Sequence, residues 1–272
     1  MTEALLIQAS LAALFGLVIG SFLNVCIYRL PRDLSVWNPP RSFCPACEKT
    51  IAWYDNLPIA SYVLLRGKCR SCSESIHWSY PLVELLTSAA FFAAILKVGL
   101  GPEGIGLCLL SAILIELVFS DLEERILPDE FTIGGTVLGI AMSFWIPRHF
   151  GLPQILLSSL TNNERLLSAF DSAFTAAFCA LVLWGVGAVY YRVRHKEGLG
   201  FGDVKMVAMI GAFLGMQGAL FTMVLGSLLG SVIGIAFILI RKKDMASYEL
   251  PFGSFLGIAA LAVAFWQAGQ SR

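Results

Sequence analysis

Gly198-Leu199-Gly200-Phe201-Gly202-Asp203-Val204-Lys205 lies between two long apolar runs and delivers one carboxylate to the start of the second. An earlier stretch, Ser120-Asp121-Leu122-Glu123-Glu124-Arg125-Ile126-Leu127-Pro128-Asp129, places an acid at the end of an apolar run. Ionisable groups at or near membrane depth are costly and tend to mark function. Glycines beside Asp203 permit backbone geometries that side chains forbid and let another segment approach closely. The two acids are expected to meet at one membrane surface.

Composition supports a membrane setting. The 272 residues are 57% hydrophobic and 14% charged, with a mean hydropathy of +0.75; soluble domains carry roughly a quarter charged residues. The formal net charge is zero, so no nucleic-acid partner is expected. Met1-Thr2-Glu3 lacks a basic n-region, and no cleavable signal peptide is expected.

Apolar runs fall at 4–24, 81–98, 104–120, 131–146, 170–191, 204–216, 219–240 and 253–266. A bilayer-crossing helix needs about 20 residues, fewer where packing permits, and backbone groups in lipid must be satisfied internally. The fold class is therefore an all-α polytopic membrane protein with about eight transmembrane helices. With the 25–80 loop facing the cytoplasm, 15 of the 19 Lys and Arg residues fall on that side. The positive-inside rule then puts both termini outside and both aspartate stretches inside. Three parts follow: 1–24, the first transmembrane helix; 25–80, a cytoplasmic loop; 81–272, a seven-helix membrane core. No internal repeat is evident. Gly226, Gly230 and Gly234 offer a flat packing face, or reflect the frequency of glycine in membrane helices. Pro147 closes the fourth run, and 148–165 reads as an external loop.

The 25–80 loop holds Cys44-Pro45-Ala46-Cys47 and Cys69-Arg70-Ser71-Cys72. A two-residue gap lets both thiolates of a knuckle reach one ion, and two knuckles close a tetrahedral zinc site. Two disulfides and an iron–sulfur centre are the alternatives; a cytoplasmic loop disfavours disulfides. Four sulfur ligands leave no position for an activated water, so the zinc is structural and folds a loop too short for its own core. Cys26, Cys108 and Cys179 sit singly in apolar runs as packing residues.

Two carboxylates sharing a proton suffice for peptide hydrolysis: one takes a proton from water, the other polarises the scissile carbonyl. Such a pair titrates as a unit. Capping is the competing role for Asp203, and Asp129 reads as a cap of the fourth span. Glu123, Glu124 and Glu130 read as a solvated face, and Glu116 as a polar packing contact or a substrate-path residue. Only His77, His149 and His195 are present, none beside an evident nucleophile, which argues against a serine or cysteine protease. A proton-coupled transporter would want its acids near the midplane and repeated halves; a membrane adaptor would use the zinc loop and leave the aspartates as caps.

Several long motifs, in order, resemble the type IV prepilin peptidase family. They include Gly20-Ser21-Phe22-Leu23-Asn24, the two cysteine knuckles, Trp53-Tyr54-Asp55-Asn56-Leu57-Pro58 and Tyr80-Pro81-Leu82-Val83-Glu84. Asp121 through Asp129, Gly200-Phe201-Gly202-Asp203 and Glu249-Leu250-Pro251-Phe252-Gly253 complete them. The resemblance implies an inner-membrane aspartyl protease of the Gly-x-Gly-Asp type with Asp121 and Asp203 as catalytic pair. It implies cleavage of type IV prepilins and type II secretion pseudopilins at the cytoplasmic face. It also implies N-methylation of the new N-terminus with S-adenosylmethionine as donor, an activity characteristic of members with the cysteine loop. Gly67 and Lys68 are candidates for the methyl-transfer region, with a basic surface turn as the alternative. Trp53, Tyr54, Asp55 and Asn56 line that region or shape the loop.

Overall fold

A computed structural model describes residues 3–146, 163–196, 198–241 and 251–268. Within them the chain is helical: α1 (Glu3–Arg29), α2 (Ala60–Leu64), α3 (Ser79–Val98), α4 (Pro102–Glu124), α5 (Asp129–Ser143), α6 (Glu164–Arg194), α7 (Phe201–Arg241) and α8 (Phe252–Gln267). The described β-structure consists of isolated bridges in the cysteine loop. Among the described residues, five helices are long and apolar enough to cross a membrane: α1, α3, α4, α6 and α7. Their outer faces carry large apolar side chains in the open, among them Leu11, Leu14 and Phe15 of α1 and Leu181, Trp184 and Val186 of α6. Lipid is the solvent that suits such faces.

Helix boundaries depart from the apolar runs. Runs 204–216 and 219–240 are two helical segments within α7, and the break between them falls at Gly215, whose φ of 69° glycine adopts without strain, rather than at 217–218. α5 and α8 have 15 and 16 residues, a rise of roughly 22–24 Å against the ~30 Å of a hydrocarbon core. Pro147 and nearly all of the 148–165 loop lie outside the described residues, as do Glu249 and Leu250.

The chain divides into two compact units, residues 1–120 and 121–272, with the boundary inside α4. In the first, α1 and α3 pack closely through Gly16 and Gly20. A Cβ on Gly20 would stand 2.6 Å from the Glu84 Cα, and one on Gly16 would stand 2.8 Å from the Ser88 Cα. Glycines one turn apart thus set the helix spacing. Asn24 Nδ2 donates to Tyr80 O (3.0 Å) and Ser88 Oγ to Ala13 O (2.9 Å) across the same seam. Apolar packing in lipid lacks the drive it has in water, so polar bonds of this kind help to register the pair.

In the second unit, α7 packs against α5, α6 and α8. Ser172 Oγ of α6 donates to Ala212 O of α7 at 2.8 Å. Gly226 and Gly230 face Leu256 and Phe255 of α8, as the small-residue face anticipated. Asp171 of α6 is buried, an acid that no sequence motif flagged. Cys26, Cys108 and Cys179 are buried, in keeping with packing roles, and Glu116 is fully enclosed.

Candidate active site and metal centre

The aspartate site forms where three helix ends of the second unit converge on Leu127. A Cβ on Gly202, at the start of α7, would lie 3.2 Å from Leu127 Cδ1; one on Gly253, at the start of α8, would lie 3.1 Å from the same atom. Asp121 belongs to the last turn of α4, closed by the Arg125 N–H donating to Asp121 O at 3.1 Å. A Cβ on Gly253 would approach the Asp121 carboxyl to 3.2 Å, so any larger residue there would press on the acid. Asp121 lies within electrostatic reach of Asp203. The structure therefore brings the two sequence-predicted acids together.

Each acid is held differently. Asp121 is 6% exposed, and its Oδ2 accepts from the Ser254 N–H at 2.6 Å and the Ser254 hydroxyl at 2.7 Å. Ser254 sits in the first turn of α8, where unpaired N–H groups and the helix dipole favour an anion. Asp203 lies in the first turn of its own helix and accepts from the Gly200 backbone, while its own N–H donates to Gly200 O at 3.1 Å. The carboxylate makes the N3 half of a capping box, and Gly200 has no side chain to make the other half. Capping and proximity to a second acid therefore coexist at Asp203.

Asp129 departs from expectation. Pro128 holds the cap position of α5, and the Asp129 carboxylate pairs with Lys205 of α7. A lysine within reach outweighs a weak local cap. Glu123 and Glu130 are exposed and Glu124 is half-buried, consistent with a solvated face. Beside Asp203, Phe201, Val204 and Lys205 join α5 and α6 residues around an open apolar groove of about 460 Å³. Ile133, Val137, Leu181 and Trp184 line it.

In the first unit the four loop cysteines converge, their sulfurs all within 4.8 Å of one another. Cys44 Sγ and Cys72 Sγ are 3.8 Å apart. Tetrahedral zinc with Zn–S near 2.3 Å sets its sulfurs roughly 3.8 Å apart, so the cluster fits one ion held by four thiolates; a disulfide would need about 2.05 Å. The two knuckles repeat one backbone design. Cys44 N donates to Lys49 O and Glu48 N to Cys44 O; Cys69 N donates to Glu74 O and Ser73 N to Cys69 O. Glu48 and Ser73 both take left-handed φ, 57° and 61°. Bridges Phe43–Thr50 and Lys68–Ser75 close each turn. Backbone N–H groups of Cys72 and Ser71 hold the Cys69 thiol down at about 7. The Glu74 N–H favours a Cys72 thiolate, but desolvation and the neighbouring thiols prevail and push it up to about 12.

The loop is pinned around this centre. Arg29, 3% exposed, donates to the carbonyls of Ser35, Val36, Pro39 and Arg41 at 2.9–3.1 Å. Arg70, between the second pair of ligands, grips Asp55 with two bonds at 2.7 and 2.6 Å; these bonds hold the Asp55 carboxyl below the usual carboxylate range. Gly67 (φ 67°) backs onto the Tyr62 ring, where a Cβ would stand 3.1 Å from the ring, and Lys68 is exposed.

Residues 14–98 match the Bacterial Peptidase A24 N-terminal domain, and residues 108–235 match the Type IV leader peptidase family. The chain is 34% identical to the prepilin leader peptidase/N-methyltransferase of Aeromonas hydrophila, covering 97% of this chain and 92% of that protein. The chain belongs to the type IV leader peptidase family. Other relatives in this family bear the same name: that of Xanthomonas campestris pv. campestris is 33% identical over 94% of this chain and 90% of its own length. That of Pseudomonas aeruginosa is 32% identical, over 93% and 88%. No solved structure matches. Ser254 is the site residue that the sequence did not single out; its proximity to the Gly253 motif was the available signal.

Proposed function

We propose that the chain is a bifunctional membrane enzyme that cleaves the leader peptide of type IV prepilins and type II secretion pseudopilins and N-methylates the new N-terminal residue. The observation that carries the peptidase half is the convergence on Leu127 that sets Asp121 beside Asp203, in a chain of the leader peptidase family.

In the proposed hydrolysis one aspartate takes a proton from water while the other gives a proton to the scissile carbonyl oxygen. The tetrahedral adduct then collapses, the C–N bond breaks, and the departing amine is protonated by the pair. Ser254 holds the Asp121 carboxylate in one rotamer, which reduces the reorganisation that the reaction requires. The apolar groove beside Phe201 and Val204 suits the hydrophobic segment that follows a prepilin leader, bringing the scissile bond to Asp203. Cys44, Cys47, Cys69 and Cys72 would hold zinc as a structural ion that fixes the loop. S-adenosylmethionine supplies the methyl group to the new N-terminal amine.

The positive-inside distribution supports an inner-membrane location with both termini periplasmic and the aspartates cytoplasmic. Eight crossings fit that arrangement, with the α7 halves on either side of Gly215 counted separately. The same scheme assigns 1–24 to an anchor, 25–80 to the methyl-transfer loop and 81–272 to the peptidase core.

The test is mass spectrometry of a prepilin peptide treated with purified zinc-loaded enzyme and S-adenosylmethionine. The expected product has lost its leader and gained one methyl group on its N-terminus. An uncut peptide overturns the peptidase assignment; a cut, unmethylated product overturns the methyltransferase half.

A further inference from the structure

Part of the cysteine loop is tethered below the start of the helix that follows it. α3 has 20 residues, a rise of roughly 30 Å, which matches the hydrocarbon thickness of a bilayer. Ser79, its first residue, therefore marks one edge of the apolar layer. Glu84 lies in the second turn of α3, about 7.5 Å inside that edge. Its Oε2 accepts from the Ile59 N–H at 2.7 Å, which draws the 57–64 segment down beside the membrane helices. The tether prevails over an unfavourable backbone. Ile59 takes φ 57° and ψ −48°, and Ala60 N donates to Pro58 O across it, a positive-φ γ-turn that a β-branched residue adopts only at a cost.

That segment presents an apolar surface and then a basic one. Leu57, Val63 and Leu64 are exposed, Val63 at 65% and Leu64 at 79%. Leu85 and Leu86, which follow Glu84 in α3, are exposed as well, so lipid-facing side chains occupy the same depth. Trp78, exposed at the head of α3, suits the interfacial belt where tryptophan collects. Residues 56–73 contain no Asp or Glu, and Arg66 and Lys68 come directly after α2. Both are exposed, and among the described residues neither pairs with an acid. Gly67, at φ 67°, turns the chain between them over the Tyr62 ring.

We propose that residues 57–68 form an interfacial foot of the cysteine loop. Leu57, Val63 and Leu64 enter the apolar edge of the leaflet, and Arg66 and Lys68 bind the phosphates of anionic phospholipids. Interfacial elements bury their apolar face about 5–10 Å into the headgroup and acyl boundary, the depth that the Glu84 tether sets. Basic groups beside an anionic surface strengthen such binding. A soluble protein docking on this face would have to displace the bilayer from the level of Glu84, so lipid is the occupant the geometry favours. Cys69 directly follows Lys68, and the foot thereby fixes the second knuckle to the membrane surface. The inference stands apart from both proposed activities.

The test is photocross-linking of the full-length, zinc-loaded protein in nanodiscs of phosphatidylcholine and phosphatidylglycerol. The probe is Leu64→p-benzoylphenylalanine, with Val63→p-benzoylphenylalanine as a second position; both side chains are exposed, so the substituted ring displaces no packing. Mass spectrometry of the labelled peptide is expected to find phospholipid adducts. Phosphatidylglycerol should exceed its share of the bilayer by about fivefold or more, the effect of one basic residue near an anionic surface. Arg66→Gln with Lys68→Gln, at wild-type zinc content, is expected to keep the adducts and return phosphatidylglycerol to its share. Adducts with protein alone, or none at either position while Leu14→p-benzoylphenylalanine in α1 labels lipid, overturn the insertion. Lipid adducts whose composition matches the bilayer in both charge backgrounds overturn the headgroup assignment.

Discussion

The cysteine loop and the aspartate site solve the same problem, holding reactive groups together, by opposite routes. In the loop each pair of ligands is separated by two residues and each knuckle is built by bonds within its own turn. A metal ion held by the four thiolates would supply what the short loop cannot bury. At the aspartates the groups come from three helix ends, and Ser254 lies 133 residues from the acid it holds. Position there depends on helix packing rather than on an ion. Removing metal should therefore damage the loop and its chemistry far more than the aspartate pair. Small changes at helix ends should do the reverse.

Four perturbations would break or sharpen that contrast. Asp203→Asn should lower leader cleavage by at least ~10³-fold, as expected for removal of half of a proton-transfer pair, while zinc content stays at the wild-type level. Cleavage rates and metal analysis on one preparation check both. The double change Cys44→Ser with Cys69→Ser should abolish zinc binding and methyl transfer, yet reduce cleavage by less than about tenfold; loss of cleavage equal to that of Asp203→Asn would erase the contrast. Ser254→Ala removes one of two bonds to Asp121 and should cost about 1–2 kcal/mol of transition-state stabilisation, read as a roughly tenfold fall in kcat with KM little changed. Lys205→Gln breaks a pair whose Asp129 partner is largely exposed. It should shift stability by less than about 1 kcal/mol, measured by thermal unfolding in detergent.

The legibility of the two regions in the sequence follows the same divide. The four ligands were visible because tetrahedral sulfur sites impose short, fixed spacing. Asp121 and Asp203 were visible because an acid at the edge of an apolar run is unusual. The shared turn geometry of the two knuckles was hidden, since Glu48 and Ser73 have a left-handed backbone in common and no side-chain chemistry. Ser254 was hidden because nothing local links the start of α8 to the end of α4. The Gly215 break separates the two segments of α7, and its place is set by a backbone angle rather than by hydropathy. Gly16 and Gly20 set the α1–α3 contact from four residues apart, a spacing readable in the chain yet overshadowed by the glycines of α7. Asp129 had the look of a cap, and lost that role to a lysine from another helix.

The central claim is that Asp121 and Asp203 act as one unit. Single-turnover cleavage of a prepilin by Asp121→Asn, Asp203→Asn and the double variant tests it most directly. Groups acting together are non-additive, so the double variant should be no slower than either single one, with all three retaining zinc. Near-wild-type cleavage by either single variant, or losses that multiply in the double variant, would contradict the account.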